Sequence, residues 1–178
     1  MRALIVVPEE FGEIETFTIL NILKKADIHV TMASMASSIV MGSSRTRILS
    51  DKKLSEADAN SYDILVLPGG PGYKNLLHSL DVLNLVKNFN KQNKIIVAIG
   101  ESPIVLAEAG IIDDKIATVF PGHEKKIPRI RDARVVIAKN VLTARSSSAA
   151  ADLALKLVEA VTSKQVAQKV RRSIDGSA

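Results

Sequence analysis

Short apolar runs alternate with amphipathic stretches along most of the chain. The runs RALIVV, YDILVLPGG and KIIVAIG are strongly apolar, and turn residues follow them, which is typical of buried strands. Residues 13–25 and residues 73–91 place apolar side chains at helical spacing, so the pattern predicts a helix over each range. Strands that alternate with helices in this way are typical of a parallel sheet covered by helices on both faces.

The rest of the chain continues the alternation between strands and helices. The pattern predicts a strand over 28–34, a hairpin or edge strand within 39–49, a short helix over 102–110, strands over 115–120, 134–138 and 140–144, and one long helix over 147–172. There is no internal repeat and no linker of useful length. We therefore expect a single domain over residues 1–174, followed by a polar tail at residues 175–178.

Three segments with candidate chemistry follow predicted strands directly. They are residues 8–15, 68–72 and 100–103, and ligands of open α/β sheets bind where the carboxyl ends of the strands meet. The third segment is a strand that turns at once into a helix, the place where many α/β enzymes carry a nucleophile. Here that residue is Gly100, which has no side chain.

The composition limits the possible chemistry. The 178 residues include no cysteine, which excludes disulfides, cysteine-ligated zinc and catalysis by a thiol. The first apolar run is too short for a signal peptide, and no segment approaches the roughly 20 apolar residues that span a bilayer. We therefore expect a cytoplasmic protein that does not bind membranes.

The formal net charge is +5, and the basic residues concentrate in residues 123–134 and 164–172. A basic face is typical of proteins that bind nucleic acid. However, acids are interspersed, and Phe120 is the aromatic residue near these charges. A solvated surface is therefore the preferred interpretation, and a nucleic-acid- or protein-binding scaffold is the alternative.

Four stretches span most of the chain: EIETFTILNILKKADIHVTMAS, DILVLPGGPGYKNL, IIVAIGESPIVLAEAGII and LTARSSSAAADLALKLVEAV. Taken in this order, they resemble the DJ-1/PfpI superfamily. The superfamily includes the parkinsonism-associated protein, PfpI-type intracellular proteases and deglycase- or glyoxalase-like proteins. The resemblance implies a flavodoxin-like three-layer α/β sandwich with a mostly parallel sheet, related to class I glutamine amidotransferases, and a homodimer.

The resemblance also implies roles for individual residues. Glu15 stands in the place of the acid that holds the family's nucleophile, and Gly69 and Gly70 stand in the loop whose N–H groups form an oxyanion site. Gly100 stands in the place of the nucleophilic cysteine. Phe120 falls near the position where some members carry a histidine, and His123 lies three residues further on.

The residues themselves, without the resemblance, allow other interpretations. Glu15 is an acid in the first turn of a helix, where the macrodipole favours it. Ser102 before Pro103 is a favourable N-cap. Glu15 and Glu101 could share a proton or hold a hard cation, although we expect neither a dedicated metal site nor a cofactor. Arg145, at the end of the last strand, is interpreted as an interface or rim residue.

The missing thiol decides the functional prediction. The preferred interpretation is a non-catalytic, cytoplasmic family member, a pseudoenzyme that binds a small molecule or serves in a stress response. The first alternative is a hydrolase, deglycase or glyoxalase-like enzyme that acts on small carbonyl compounds through Glu15, Glu101 or Ser102. The second alternative is the binding scaffold already described.

Overall fold

The computed structural model describes residues 1–176, and within that range a seven-stranded sheet forms the centre of the fold. The strands are β1 (Arg2–Val7), β2 (His29–Ser34), β3 (Ile39–Met41), β4 (Arg47–Leu49), β5 (Lys52–Lys53), β6 (Ile64–Leu67), β7 (Ile95–Ile99), β8 (Val135–Ala138) and β9 (Val141–Ala144). The order in the sheet is β5-β2-β1-β6-β7-β9-β8, and only β8 and β9 pair antiparallel. The strands β3 and β4 form a separate antiparallel hairpin.

Helices cover both faces of this sheet. They are α1 (Glu13–Lys25), α2 (Tyr73–Leu77), α3 (Leu80–Lys91), α4 (Pro103–Glu108), α5 (Ala150–Val161) and α6 (Lys164–Asp175). Alternate residues of β1 enter opposite cores: Ile5 packs with α1, α5 and α6, whereas Leu4 packs with α2, α3 and α4. Burial on both faces explains why the strand sequences are continuously apolar. The predicted flavodoxin-like three-layer α/β class is therefore confirmed.

Two predicted helices are each divided in two. The range 73–91 contains α2 and α3, because the Ser79 hydroxyl accepts a hydrogen bond from the Val82 N–H (3.3 Å) and starts a new helix. The range 147–172 contains α5 and α6, because the Ser163 hydroxyl accepts from the Val166 N–H (3.3 Å). The prediction of single helices was wrong at these points, since the capping serines give the chain a new direction.

The strand predicted over 115–120 is also wrong. Within residues 1–176 this segment joins no sheet, and Ala117 forms only an isolated bridge with Ile130. The Thr118 N–H instead donates to the Thr143 hydroxyl (3.0 Å), so a side chain takes the place of a strand partner. The short strand β5 was not predicted, because two residues carry no periodicity.

The helix α6 continues to Asp175 and ends at Gly176, which has a left-handed φ of 68°. The remaining residues of the predicted polar tail, 177–178, lie outside the described residues, and the division into a domain and a tail stays a prediction. In the part of the chain that the structure describes, no helix has the length and apolar character needed to cross a membrane.

Candidate functional site

The carboxyl ends of β1, β6 and β7 bring the three candidate segments together, because these strands are neighbours in the sheet. The Gly12 N–H donates to the Gly69 carbonyl (2.7 Å) and thus joins the loop after β1 to the loop after β6. The Ser102 hydroxyl donates to the Pro68 carbonyl and joins the turn after β7 to the same loop. The loop after β6, residues 68–72, is called the Gly-rich loop below. It is hydrogen-bonded on one side to the loop after β1 and on the other side to the turn after β7.

Gly100 forms a sharp elbow between β7 and α4. Its φ of 65° lies in the left-handed region, which glycine adopts at no steric cost. The Gly100 N–H donates to the Ala144 carbonyl (3.0 Å), and the Gly100 carbonyl accepts from the Phe120 N–H (2.9 Å). A Cβ atom at this position would lie 3.3 Å from the Gly69 Cα and 3.7 Å from the Glu15 Oε1. A side chain at residue 100 would therefore start between the acid and the Gly-rich loop.

Glu15 lies in the first turn of α1 with only 8% of its surface exposed. Burial raises the pKa of its carboxyl above the ordinary value, a hydrogen bond from its own backbone N–H opposes this, and the charges of Glu101 and Glu13 raise the pKa further. The Glu15 carboxyl therefore keeps its proton to a higher pH than an exposed glutamate does. A protonated carboxyl can donate a hydrogen bond to a ligand oxygen.

Glu101 reaches the Gly-rich loop from the elbow. Its Oε2 accepts a hydrogen bond from the Gly70 N–H (3.2 Å). Gly70 has a φ of 93°, and a Cβ there would lie 2.5 Å from the Gly12 nitrogen, so the close packing requires glycine. A Cβ on Gly69 would lie 3.1 Å from the Glu15 Oε1 and 3.3 Å from the Glu101 Oε2. Both carboxyl groups therefore converge on the backbone that the resemblance assigns to an oxyanion.

The carboxyl groups of Glu15 and Glu101 have the oxygen atoms that hard cations prefer as ligands. In residues 1–176, no group of three or more histidine or acidic side chains is arranged to hold a metal ion. The pair itself offers one carboxyl with a raised pKa and a second carboxylate beside a backbone donor. Such a pair can hold a proton or bind a polar ligand.

Ser102 is the N-cap residue of α4, but its hydroxyl binds elsewhere. The residue is fully buried, its side chain makes no capping hydrogen bond to α4, and its hydroxyl donates to the Pro68 carbonyl instead. The predicted N-cap position, with Pro103 as the first residue of the helix, is therefore confirmed, but the hydroxyl does not serve as the cap. The buried hydroxyl is a structural link between the elbow and the Gly-rich loop, and its use as a nucleophile would first require breaking that bond.

The aromatic and basic residues near the site lie along its edge. Phe120, whose N–H binds the elbow, is 40% exposed. The His123 ring packs edge-on against Tyr73, the first residue of α2, with 6.0 Å between the ring centroids. Arg145 follows β9 and pairs with Asp132 at 2.7 Å. The role of Arg145 at an interface or rim stays a prediction.

The sequence did not reveal two of these contacts. The Tyr73–His123 packing and the Glu101–Gly70 hydrogen bond each join residues far apart in the chain. No local spacing signals either of them. The adjacency of β6 and β7 in the sheet was the available hint for the second contact.

A model of the DJ-1/PfpI family matches residues 1–160 of the chain. Protein DJ-1 homolog B of Arabidopsis thaliana is 33% identical over 163 residues, which cover 89% of this chain and 37% of that protein. The chain thus spans well under half of the Arabidopsis protein. The glutathione-independent glyoxalase DJR-1.2 of Caenorhabditis elegans is 29% identical over 155 residues, covering 85% of this chain and 83% of that protein.

The fold is also similar to solved structures. Oxidized DJ-1 of Toxoplasma gondii superposes with a TM-score of 0.93 at 29% sequence identity. The superposition covers 99% of this chain and 98% of that one.

Proposed function

Because the chain belongs to the DJ-1/PfpI family and contains no cysteine, we propose that it is a non-catalytic member that binds a small carbonyl compound. The binding site is the space between Glu15, the Gly69–Gly70 loop and Gly100. The role is stress-related and cytoplasmic, in keeping with the expectation drawn from the sequence. A homodimer is part of the same proposal.

One observation carries this proposal. The elbow keeps the left-handed geometry typical of a nucleophile position, but residue 100 is glycine and the Gly70 N–H already binds the Glu101 carboxylate. A covalent reaction at an acyl or aldehyde carbon needs an attacking atom and free oxyanion donors. The site has no attacking atom at position 100, and one of its backbone donors is occupied.

The remaining groups suit reversible binding. The Glu15 carboxyl, protonated to a higher pH than usual, can donate to a carbonyl oxygen. The backbone of the Gly-rich loop lies close to the Glu15 carboxyl. A Cβ atom built on Gly69 would be only 3.1 Å from the Glu15 Oε1, so a ligand bound by Glu15 would also be near this backbone. A small ligand with a carbonyl group is therefore the best chemical match.

Two measurements test the proposal together. The chain is incubated with methylglyoxal and assayed for lactate, the product expected of a glyoxalase such as the C. elegans relative. We expect no lactate above the buffer rate.

The second measurement tests binding. Hydroxyacetone, a carbonyl compound without an aldehyde, is titrated into ¹⁵N-labelled protein, and we expect shifts in the amide signals of Gly70 and Gly100.

The control for binding is Glu15→Ala, in which the hydroxyacetone shifts at Gly70 and Gly100 should disappear. Lactate formation by the parent chain would contradict a non-catalytic role. Hydroxyacetone that leaves the Gly70 and Gly100 signals unchanged would contradict the binding site.

The second candidate is an enzyme that uses Glu15 and Glu101 as an acid–base pair. The favouring observation is that burial raises the pKa of Glu15 while a second carboxylate lies nearby, an arrangement that separates the roles of two acids in several enzymes. In that case the parent chain would convert methylglyoxal, and Glu15→Gln would abolish the turnover.

A further inference from the structure

A groove of about 650 Å³ lies between the start of β8 and the facing sides of α5 and α6. Its volume falls within the roughly 300–1,000 Å³ that is typical of binding sites. The floor of this C-terminal groove is apolar, because Leu155 is 5% exposed and Ala167 is 7% exposed, with Val135 half-buried beside them.

Basic side chains surround the apolar floor. Arg134, Lys156, Lys164 and Arg171 line the C-terminal groove, together with the acids Asp152 and Glu159. On α6 the cations Lys164 and Arg171 stand seven positions apart with Ala167 between them, so helical spacing puts all three on one side of the helix.

An ion-pair cluster fixes one end of the groove. Asp152 pairs with Arg134 at 3.0 Å and with Arg171 at 3.6 Å, and Arg134 also donates to the Ser148 carbonyl (2.7 Å). Asp152 is therefore already neutralised. Lys156 and Lys164 make no ion pair within residues 1–176, so both stay available to an outside anion.

The positive charge continues along the chain from the groove. Lys125, Lys126, Arg129 and Arg131 are all exposed in the loop that leads into Arg134. This loop is the basic segment that the small-molecule site does not use. Ile127 of this loop lies in the core on the α2–α4 face of the sheet, so the lysines and arginines of the groove itself supply the charge that a partner there would meet.

We propose that the C-terminal groove binds an acidic segment of another protein, in which carboxylates alternate with apolar side chains. The carboxylates match the free lysines, and the apolar side chains match the floor. The outer strand β8 borders the groove, has no partner on its outer edge within residues 1–176, and exposes 47% of Ile137, which suits an extended segment.

The lining argues against single-stranded nucleic acid as the partner. Proteins that hold single strands stack bases on aromatic side chains, and among residues 1–176 no aromatic residue lines this groove. The proposed partner is independent of the small-molecule function proposed above, because the groove contains none of that site's residues.

Fluorescence anisotropy tests the proposal with the full chain. The probes are a fluorescein-labelled eight-residue peptide that alternates Glu and Leu, the same peptide with Gln in place of Glu, and a labelled oligothymidylate. We expect the Glu–Leu peptide to bind more tightly than either of the others. In Lys156→Glu/Lys164→Glu its affinity should fall about tenfold, because two attractive charges become repulsive.

The matched control is Lys87→Glu/Lys91→Glu, which makes the same charge change at two exposed lysines of α3. Its affinity for the Glu–Leu peptide should stay within about twofold of the parent value, since these lysines lie outside the groove. Equal weakening by both double variants would overturn the proposal in favour of net charge alone. Tighter binding of the oligothymidylate, or no binding of the peptide, would also overturn it.

Discussion

The Glu101 carboxylate accepts a hydrogen bond from the backbone N–H of Gly70, although the two residues lie 31 positions apart. In acyl-transfer enzymes, backbone donors of this kind stabilise the negative oxygen of a tetrahedral intermediate. Here a side chain of the protein supplies the negative oxygen. The contact therefore places a fixed acceptor beside the elbow and affects any group introduced at residue 100.

The first prediction concerns a thiol introduced at the elbow. Gly100→Cys should react with iodoacetamide more slowly than the double variant Gly100→Cys/Glu101→Ala. A nearby carboxylate disfavours the reactive thiolate, so its removal should lower the thiol pKa. A rise in rate of about three- to tenfold near pH 7 corresponds to a change of up to one pKa unit. The measurement is the alkylation rate by mass spectrometry.

The control for the thiol experiment is Gln165→Cys on the exposed side of α6, measured with and without Glu101→Ala. Its rate should not change, because residue 165 belongs to a different part of the fold. Equal rates for the single and double elbow variants would contradict the position assigned to the Glu101 carboxylate.

The second prediction concerns the pH dependence of stability at Glu15. Burial raises its folded-state pKa above the ordinary 4.5, which applies in the unfolded chain. At a pH below 4.5 both states hold the proton, and Glu15 has no pH-dependent effect. As the pH rises through the folded-state pKa, the unfolded chain has already released its proton, so the free energy of unfolding falls.

Gln at position 15 cannot ionise, so it should remove this pH-dependent loss. The free energy of unfolding of Glu15→Gln, relative to the parent, should therefore increase between about pH 4.5 and neutral pH. Urea unfolding at several pH values measures the difference. The control is Asn21→Ala, which replaces an exposed, non-ionisable residue of α1. Its free energy of unfolding relative to the parent should not depend on pH. A constant difference for Glu15→Gln would argue against a raised pKa.

The third prediction concerns the buried hydroxyl of Ser102. Ser102→Ala should lower the free energy of unfolding by about 1–3 kcal/mol, because the Pro68 carbonyl loses its donor in the interior. Ser173→Ala is the matched control, since the Ser173 hydroxyl also donates to a backbone carbonyl, that of Val170 (2.8 Å), but on an exposed residue. Its effect should stay within about 0.5 kcal/mol. Chemical denaturation gives both values, and similar small changes would contradict a structural role for Ser102.

The fourth prediction concerns assembly. Ile14, Ile39 and Leu49 are 64%, 59% and 72% exposed, and Ile39 and Leu49 are cross-strand neighbours in the β3–β4 hairpin. Glu13, the first residue of α1, contacts this hairpin. Its carboxylate accepts a hydrogen bond (2.8 Å) from the hydroxyl of Ser43, which lies between β3 and β4. These side chains thus offer an apolar surface for a second copy of the chain.

Light scattering at micromolar concentration should therefore give about twice the mass of one chain. Leu49→Glu should shift the mass towards the monomer, because a charge at the centre of an apolar interface loses its hydration. Leu80→Glu, at a residue 75% exposed on α3, should leave the dimer intact. A monomeric parent chain at that concentration would contradict the predicted homodimer.

The sequence was sufficient to predict the layers and the meeting of three loop segments at one edge of the sheet. Apolar runs identified β1, β6 and β7, and the rule that ligands bind at strand ends brought Glu15, Gly69 and Gly100 to one edge of the sheet. Family membership, which the resemblance implied, is confirmed by the match over residues 1–160. The three strands could be recognised as continuous apolar runs because each of them is buried on both faces.

The remaining features depend on contacts that no local pattern encodes. The hydroxyl of Ser102 could cap a helix or bind a distant carbonyl, and only the packing of the Gly-rich loop decides between them. The segment at Thr118 has the composition of a strand, but the Thr143 side chain binds its N–H. The helix breaks at Ser79 and Ser163 did carry a signal, since each serine is a suitable N-cap, but continuous apolar spacing concealed it.

The backbone of Gly100 is bound on both sides, by the Ala144 carbonyl and by the Phe120 N–H. The elbow is thus held by main-chain atoms that every amino acid except proline possesses. In evolutionary terms, the chemistry of residue 100 is separable from the architecture that presents it. A lineage could gain or lose a reactive atom there by a single replacement, at a strain of about 1–3 kcal/mol for a residue other than glycine, and keep the same scaffold.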